Sequence, residues 1–165
     1  MASSGYLPPV LQQDLSSLKI GIVYTRWNHE IITQLLEGAK RVLDQFKVDQ
    51  IKTLEVPGAF ELPMGAKFIL QQNKVDAVIC LGCIIKGETE HDRYIAESVS
   101  QGLTLLGLQS GIPCLFGVLT TNTLQQAEDR ANGPLGNKGE EVAYAALEMA
   151  AIKTNLKSSA SKIGF

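Results

Sequence analysis

The chain has 165 residues, of which 45% are hydrophobic and 19% are charged. This balance is typical of one folded domain with a substantial core, and it excludes a largely disordered chain. The formal net charge of −2 at pH 7 excludes a general electrostatic attraction to nucleic acid or to an anionic membrane, so local features have to hold any anionic ligand.

The two ends of the chain differ in composition from its middle. We predict a flexible N-terminal arm over residues 1–17, a single domain over residues 18–157 and a polar tail over residues 158–165. No stretch approaches the ~20 apolar residues of a membrane span, and the N-terminus lacks the basic start and apolar core of a secretory signal. We therefore expect a cytoplasmic protein.

Short apolar runs alternate along the chain with longer segments whose apolar residues recur at helical spacing. Pro57-Gly58 ends the second run, and Pro63 is tolerated in the first turn of the helix that follows. In chain order, the pattern predicts strand 18–25, helix 29–47, strand 51–56, helix 61–72, strand 76–82, helix 91–108, strand 113–120, a short helix 123–131 and a long helix 139–156.

This alternation of elements predicts the architecture. Continuous apolar strands separated by amphipathic helices indicate a three-layer α/β/α sandwich, with a central, mainly parallel four-stranded sheet and helices on both faces. In such sheets, ligands bind beyond the carboxyl ends of the strands. The unusual stretches of this chain all follow predicted strands: "RWN", "PGAFE", "CIIKGETEH" and "TTNT".

The loop after the third predicted strand has the spacing of a phosphate-binding loop. "GCIIKGET" (82–89) matches G-x-x-x-x-G, with a strand before it and a helix after it. A nucleotide-binding loop needs Lys after the second glycine, where this chain has Glu88, so we exclude nucleotide hydrolysis. Two interpretations are left. Either the amides of Gly87, Glu88 and Thr89 bind a single phosphate, or Thr89 caps a helix that has no ligand.

Two ring-bearing side chains near these strand ends each have a functional and a structural interpretation. His91 lies in the first turn of a predicted helix, where the helix N-terminus disfavours the charged ring. It is either a neutral proton-transfer group or an exposed surface histidine. Trp27, the only tryptophan, either stacks on a flat heterocycle or fills part of the core.

The turn "VPGAFELP" (56–63) bends the chain at the end of the second predicted strand. The backbone amides of Ala59 and Phe60 and the carboxylate of Glu61 are suited to hydrogen bonds with a polyol. The competing interpretation is a bare turn that leads into a helix.

A Gly-rich connection, "EDRANGPLGNKGEE" (128–141), contains Arg130 and Lys138. An arginine can bind a phosphate through two parallel hydrogen bonds. The competing interpretation is a surface ion pair between Arg130 and Glu128 or Glu140.

The three cysteines are Cys80, Cys83 and Cys114, and the first two match C-x-x-C, which is typical of a redox pair or of half a zinc site. The redox motif normally opens a helix, whereas this pair ends a predicted strand. No second Cys or His pair follows at zinc spacing. We predict buried, reduced, structural thiols.

Six blocks occur together, in order and at matching spacing: "RWN", "VPGAFELP", "IKGETEH", "FGVLTT", "EDRA" and "GNKG". With them the chain resembles the lumazine synthase family of riboflavin biosynthesis, from about Leu18 to Met149. The family accepts Phe or Trp at the position of Trp27, whereas Glu88 and Glu90 depart from the commoner small residues of their loop. The resemblance implies a flavodoxin-like fold and a transferase activity. The implied reaction condenses 5-amino-6-(D-ribitylamino)uracil with 3,4-dihydroxy-2-butanone 4-phosphate to 6,7-dimethyl-8-ribityllumazine, the penultimate step of riboflavin biosynthesis.

The resemblance also implies where the pyrimidine substrate binds. Its ring stacks on Trp27, and the backbone of Cys83, Ile84 and Ile85 runs along its edge. Its ribityl chain lies against Ala59–Glu61.

The same resemblance implies how the phosphorylated ketone binds and where protons move. The phosphate rests on the amides of Glu88 and Thr89 and on Arg130. His91 is the proton-transfer residue. Phe116 and Arg130 reach the site from a neighbouring subunit.

Assembly and partners are implied in the same way. We expect a pentamer and, because the connection 130–139 is compact, twelve pentamers joined into a shell of sixty chains, with the N-terminal arm adding a strand to a neighbour. Lys138 is expected to support the site from behind the contact residues. The resemblance implies no cofactor and no metal, possible binding of riboflavin or product, and riboflavin synthase as functional partner. The alternative is a non-catalytic flavin-binding or shell-forming protein of the same fold.

Overall fold

The computed structural model describes residues 10–11 and 13–161, so much of the predicted N-terminal arm and the end of the predicted tail lie outside the described residues. A short 3-10 turn, Ala59–Glu61, precedes the second helix. In chain order, the strands and helices are β1 Lys19–Thr25, α1 His29–Gln45, β2 Gln50–Val56, α2 Leu62–Gln72, β3 Ala77–Ile85, α3 His91–Ser110, β4 Cys114–Thr121, α4 Leu124–Ala131 and α5 Lys138–Ser161.

The four strands form one parallel sheet in the order β2-β1-β3-β4. This confirms the predicted parallel sheet and the three-layer α/β/α arrangement. The register between β1 and β3 ends at Tyr24 and Leu81, whereas β3 continues along β4 until Ile85 pairs with Thr121. Strand β3 therefore extends past the end of β1, and its last residues have a strand on one side only.

The helices cover both faces of the sheet, each over its own apolar cluster. One cluster joins α1, α4 and α5 to the sheet, and the other joins α2 and α3 to the opposite face. Side chains of a strand alternate between faces, so Cys80 belongs to the second cluster and Cys83 to the first. Two thiols on opposite faces of a strand do not meet, which excludes the redox-pair interpretation of the C-x-x-C motif.

All three cysteines are free, as predicted. Cys80 and Cys83 are buried, and Cys114 is partly buried. Burial raises the pKa of Cys83 and that of Cys114 to about 11, because the apolar surroundings disfavour the thiolate. At neutral pH these two thiols are therefore mainly in the protonated form.

The largest differences from the sequence prediction concern β3, α5 and the predicted N-terminal arm. β3 ends at Ile85 rather than at residue 82, since the ladder with β4 supplies backbone partners for three more residues. α5 begins at Lys138 and continues to Ser161, five residues beyond the predicted end. Ahead of β1, within the segment predicted as an arm, Leu15 is buried in the first apolar cluster.

An apolar surface remains open at the β4 edge of the sheet. Only Val99 and Leu103 of α3 are fully buried. A cavity of about 660 Å³ opens between α3 and α5, and the apolar side chains that line it include Leu108, Ile112, Met149, Ile152 and Leu156. No helix among the described residues is long and apolar enough to cross a membrane.

Candidate active site

Three of the unusual sequence stretches lie together at the carboxyl edge of the sheet. "RWN" follows β1, "PGAFE" follows β2 and the segment 86–90 follows β3. Because these three strands are parallel neighbours, their carboxyl ends meet at one edge. A ligand at this edge has the β1 turn at its centre and the other two loops on either side.

Trp27 stands exposed at the centre of this edge. Its side chain is 73% exposed, so the interpretation of Trp27 as part of the core is wrong. The ring lies beside the β2 turn, since a methyl group on Gly58 would be 3.5 Å from Cδ1 of Trp27. The same methyl group would be 3.2 Å from a carboxylate oxygen of Glu61. An aromatic face and a carboxylate therefore flank one small residue.

The β2 turn presents polar groups to the same edge. Ala59–Glu61 forms a 3-10 turn, held by a hydrogen bond from the Glu61 amide to the Gly58 carbonyl at 3.2 Å. Phe60 is 60% exposed. Within the described part of the chain, neither the Ala59 nor the Phe60 amide donates a backbone hydrogen bond outside the turn. These groups are available to hydroxyl ligands.

The end of β3 offers backbone rather than side chains. Cys83 and Ile84 are buried in opposite apolar clusters, and Ile85 packs against the first of them. Beyond Leu81 the β1 side of β3 has no strand partner. The amide of Asn28 occupies part of this open edge by donating a hydrogen bond to the Cys83 carbonyl at 2.9 Å.

The loop after β3 leaves free amides ahead of a helix. The last ladder bond is donated by the Lys86 amide to the Thr121 carbonyl at 2.8 Å. α3 begins at His91 with Glu90 at its N-cap, and no side chain caps it. The interpretation of Thr89 as the N-cap is therefore wrong. Among the hydrogen bonds of the described residues, none is donated by the amide of Glu88 or of Thr89.

His91 is exposed at the first position of α3, at the same edge. The first two turns of α3 contain no fully buried residue, and burial begins at Val99. Next to His91, one carboxylate oxygen of Asp92 is buried, and it has no hydrogen-bond partner in the described chain. Sequence reasoning gave no role to Asp92, because the motif offers no signal for an unpaired buried oxygen.

Three predicted site residues do not belong to the loops after β1, β2 and β3. Phe116 is 40% exposed on β4, five residues before the strand ends, which is about 17 Å along the strand from the carboxyl edge. Arg130 lies near the end of α4 and donates to the Gln126 carbonyl at 2.9 Å. Lys138 begins α5 and is paired with Glu141.

These positions also decide an alternative left open by the sequence. Arg130 forms no ion pair with either Glu128 or Glu140 in the described chain, and Glu140 pairs instead with Arg41 at 2.8 Å. The surface ion-pair interpretation of Arg130 is therefore wrong. One chain brings together the residues of three loops, whereas Phe116, Arg130 and Lys138 lie on β4, α4 and α5.

Asn28 is a second residue to which sequence reasoning gave no role. Its backbone is in the left-handed region, with φ 57° and ψ 47°, at the N-cap of α1. Asparagine tolerates this conformation better than most residues, which is the one signal that the sequence offers.

Comparison with known proteins places the chain in a family. A family model for 6,7-dimethyl-8-ribityllumazine synthase matches residues 17–154. The protein of that name from Parabacteroides distasonis is 48% identical over 138 residues, which cover 82% of this chain and 86% of that protein. The one from Cytophaga hutchinsonii is 47% identical over 150 residues, which cover 90% and 91%. The one from Phocaeicola vulgatus is 43% identical over 145 residues, which cover 87% and 86%.

The matched range contains every loop of the carboxyl edge and every residue assigned to the site above. The family model covers most of the chain and the sequence identity extends over most of each relative, so the chain belongs to the 6,7-dimethyl-8-ribityllumazine synthase family.

Proposed function

We propose that the protein condenses 5-amino-6-(D-ribitylamino)uracil with 3,4-dihydroxy-2-butanone 4-phosphate to give 6,7-dimethyl-8-ribityllumazine, phosphate and two waters. The observation that carries this proposal is the family match over residues 17–154, which includes all the loops of the carboxyl edge. The alternative, a fold retained without turnover, has no observation in its favour.

The chemistry needs few protein groups. The amine attacks the ketone and loses water to form an imine, phosphate leaves by elimination, and ring closure on the second carbonyl releases another water. Because amines and carbonyls react unaided, positioning the two substrates and moving protons account for most of the catalysis.

The pyrimidine is proposed to stack on Trp27 and to lie against the open edge of β3. The exposed ring supports the stacking, and such contacts between flat rings are worth about 0.5–1.5 kcal/mol beyond the area that they bury. The pyrimidine edge carries N–H and C=O groups like those of a strand. It therefore suits the residues after Leu81 that lack a partner on the β1 side, including Ile85.

The ribityl chain is proposed to lie along Ala59–Glu61. Two amides free of backbone partners and the Glu61 carboxylate give donors and acceptors for its hydroxyl groups. The Trp27 ring and Glu61 both border Gly58, so the two parts of one substrate have adjacent sites.

The phosphate is proposed to bind to the free amides of Glu88 and Thr89. Their position before α3 adds the favourable end of the helix dipole. The carboxylate of Glu88 is repulsive to a phosphate, so a cation is required to offset it. We assign this role to Arg130 of a neighbouring subunit, with Lys138 as support.

His91 is proposed to take and return protons during elimination and ring closure. It is exposed at the start of α3, next to the amides assigned to the phosphate, which is the leaving group. Positioned acid–base catalysis is typically worth about 10²–10⁴-fold in rate, and the intrinsic reactivity of the substrates places this case at the low end.

Assembly is proposed to complete the site. Phe116 lies about 17 Å from the carboxyl edge of its own chain, Arg130 donates a hydrogen bond within its own helix, and the apolar surface between α3 and α5 is open at the β4 edge. We propose pentameric rings, with twelve rings in a shell of sixty chains. Five chains of 17.9 kDa amount to about 90 kDa and sixty to about 1,070 kDa, so sedimentation velocity separates the two states. A single species of about 90 kDa at all concentrations would exclude the shell but not the activity.

The wider setting follows from the same proposal. Three free cysteines suit a reducing compartment, and we infer the cytoplasm. The product is the substrate of riboflavin synthase, which we propose as functional partner. Riboflavin, which shares the flat ring system and the ribityl chain, is expected to bind to the same site.

The test is to mix the purified protein with both substrates and to follow the absorbance of the lumazine. We expect product in stoichiometric yield with released phosphate, and His91→Ala to be about 10²-fold slower. His29→Ala is a matched control, because His29 is also exposed and also begins a helix. Riboflavin binding without product formation by the wild-type protein would refute the proposed function and favour the alternative.

A further inference from the structure

The turn between β1 and α1 consists of the three residues 26–28 and ends in an unusual backbone conformation. Asn28 has φ 57° and ψ 47°, and its carbonyl accepts the first helical hydrogen bond of α1, from the Ile32 amide at 3.0 Å. This left-handed conformation costs most side chains free energy, and asparagine is among the residues that tolerate it. A turn of only three residues therefore connects the strand to the helix.

The side chain of Asn28 ties this turn to β3. Its Nδ2 donates a hydrogen bond to the Cys83 carbonyl at 2.9 Å. The β1–β3 ladder ends at Tyr24 and Leu81, so the amide takes over an acceptor of β3 that β1 no longer reaches. The turn is thus joined to the strand next to which the pyrimidine is assigned.

The other end of the turn is joined to β2. The backbone amide of Arg26 donates a hydrogen bond to the Val56 carbonyl at 3.0 Å, and the Nε of the Arg26 side chain donates to the Glu55 carboxylate at 2.8 Å. Trp27 lies between these two attachments, and most of its ring is exposed. Core packing does not hold a ring with so little burial, so the backbone on either side sets its direction.

We propose that Asn28 is a positioning residue that fixes the Trp27 ring beside the open edge of β3 and so forms a slot for a flat pyrimidine. This rests on the proposed assignment of Trp27 as the stacking surface. The left-handed backbone directs Trp27 outward, and the bond to Cys83 sets the distance between the ring and the β3 backbone. Binding then requires less ordering of the ring.

Two substitutions remove the hydrogen bond from Asn28 to Cys83 in different ways. Asn28→Gly retains the left-handed conformation and removes the side-chain hydrogen bond. Asn28→Asp retains the size of the side chain and replaces the donor with an oxygen that faces the Cys83 carbonyl. Asn73→Gly is the matched control, because it removes an asparagine bond to a backbone carbonyl, that of Ile69, at the far end of α2.

The first measurement needs no substrate. Trp27 is the only tryptophan, so time-resolved fluorescence anisotropy follows its ring alone. We expect Asn28→Gly and Asn28→Asp to increase the amplitude of fast ring motion, and Asn73→Gly to leave it unchanged. Unchanged ring motion in both Asn28 variants would overturn the proposal, whatever the role of Trp27 in binding.

The second measurement separates the two substrates. One neutral hydrogen bond corresponds to about a three- to tenfold change in an equilibrium. We expect both Asn28 variants to raise KM for the pyrimidine by that factor, with KM for the phosphorylated ketone unchanged. A purely structural role would lower the melting temperature without this split between substrates, and that result would also overturn the proposal. If Trp27→Gly leaves KM for the pyrimidine unchanged, the stacking assignment fails while the anisotropy result still decides whether Asn28 positions the ring.

Discussion

Asn137 is predicted to hold the Gly-rich connection in place, and Asn137→Ala tests this. Its side chain is 5% exposed. Its Nδ2 donates to the carbonyls of Gln34, at 2.9 Å, and of Ala131, while its Oδ1 accepts from the Glu140 amide at 3.2 Å. These three bonds join α1, α4 and the start of α5. The block "GNKG" therefore has a structural reason that does not involve substrate.

The expected loss follows from these bonds. Three hydrogen bonds at about 0.5–1.5 kcal/mol each predict a decrease of about 1.5–4.5 kcal/mol in the free energy of unfolding. The upper part of the range is expected, because alanine leaves two carbonyls without their donor in a closely packed place. A methyl group on Gly38 would overlap the Asn137 amide, and one on Gly139 would overlap the backbone of Leu35. Neighbouring atoms leave little room for a water to replace the amide.

Urea denaturation followed by far-UV circular dichroism measures the effect. Asn137→Ala, a control variant and the wild type are compared at one protein concentration, since assembly shifts apparent stability. Asn132→Ala is the control, because Asn132 is an exposed residue of the same connection and should change stability by no more than about 0.5 kcal/mol. If Asn137→Ala also stays within about 0.5 kcal/mol of wild type, the hydrogen-bond explanation of this block is refuted.

Three further predictions concern the site and the thiols. A methyl group on Gly87 would meet no atom within 4 Å, so Gly87→Ala should retain the melting temperature. Because Gly87 directly precedes the amides assigned to the phosphate, the same change should raise KM for the phosphorylated ketone about three- to tenfold. A change in stability alone would contradict this prediction. Arg130→Ala should raise KM for the same substrate about 10–100-fold and leave KM for the pyrimidine unchanged, and steady-state kinetics with no such change would remove Arg130 from the site. Because burial raises the pKa of Cys83 and Cys114 to about 11 from an ordinary value of 9, their thiolate fraction at pH 8 should be about 100-fold lower. Ellman's reagent should label the native protein correspondingly slowly, and labelling as fast as that of the urea-unfolded chain would show that these thiols are accessible.

The order of strands and helices was predictable because burial on both faces makes parallel strands almost wholly apolar. β3 is the clearest case, with "AVICLGC" buried throughout. Its last residues were missed, since the pattern cannot tell which neighbour a strand has, and only β4 extends to Ile85. The exposure of Trp27 was equally beyond the pattern. A tryptophan after a strand is buried or exposed according to the turn that follows, and here the left-handed Asn28 decides it.

Distances across the fold explain which site residues the sequence alone could not assign. Trp27 and Glu61 are far apart in sequence, but both follow adjacent parallel strands, so the topology alone brings them to one edge. Phe116 also lies on a strand of that sheet, yet about 17 Å from the edge, and Arg130 lies near the end of a helix. Sequence spacing alone could not assign either residue to the site.

The extra length of β3 connects the fold, the site and the proposed assembly. Because β3 extends past β1, one side of its end is open to a pyrimidine, while its other side is closed by β4. β4 is itself the edge of the sheet, and its outer side borders the apolar surface between α3 and α5. A neighbour that covers this surface would protect an unpaired strand edge and exclude water from apolar side chains. On the proposed assignment, the same neighbour would supply the cation that offsets Glu88 at the phosphate. Because the same contact between chains would cover the apolar surface and complete the phosphate site, stability and activity would both decrease as dilution separates the chains.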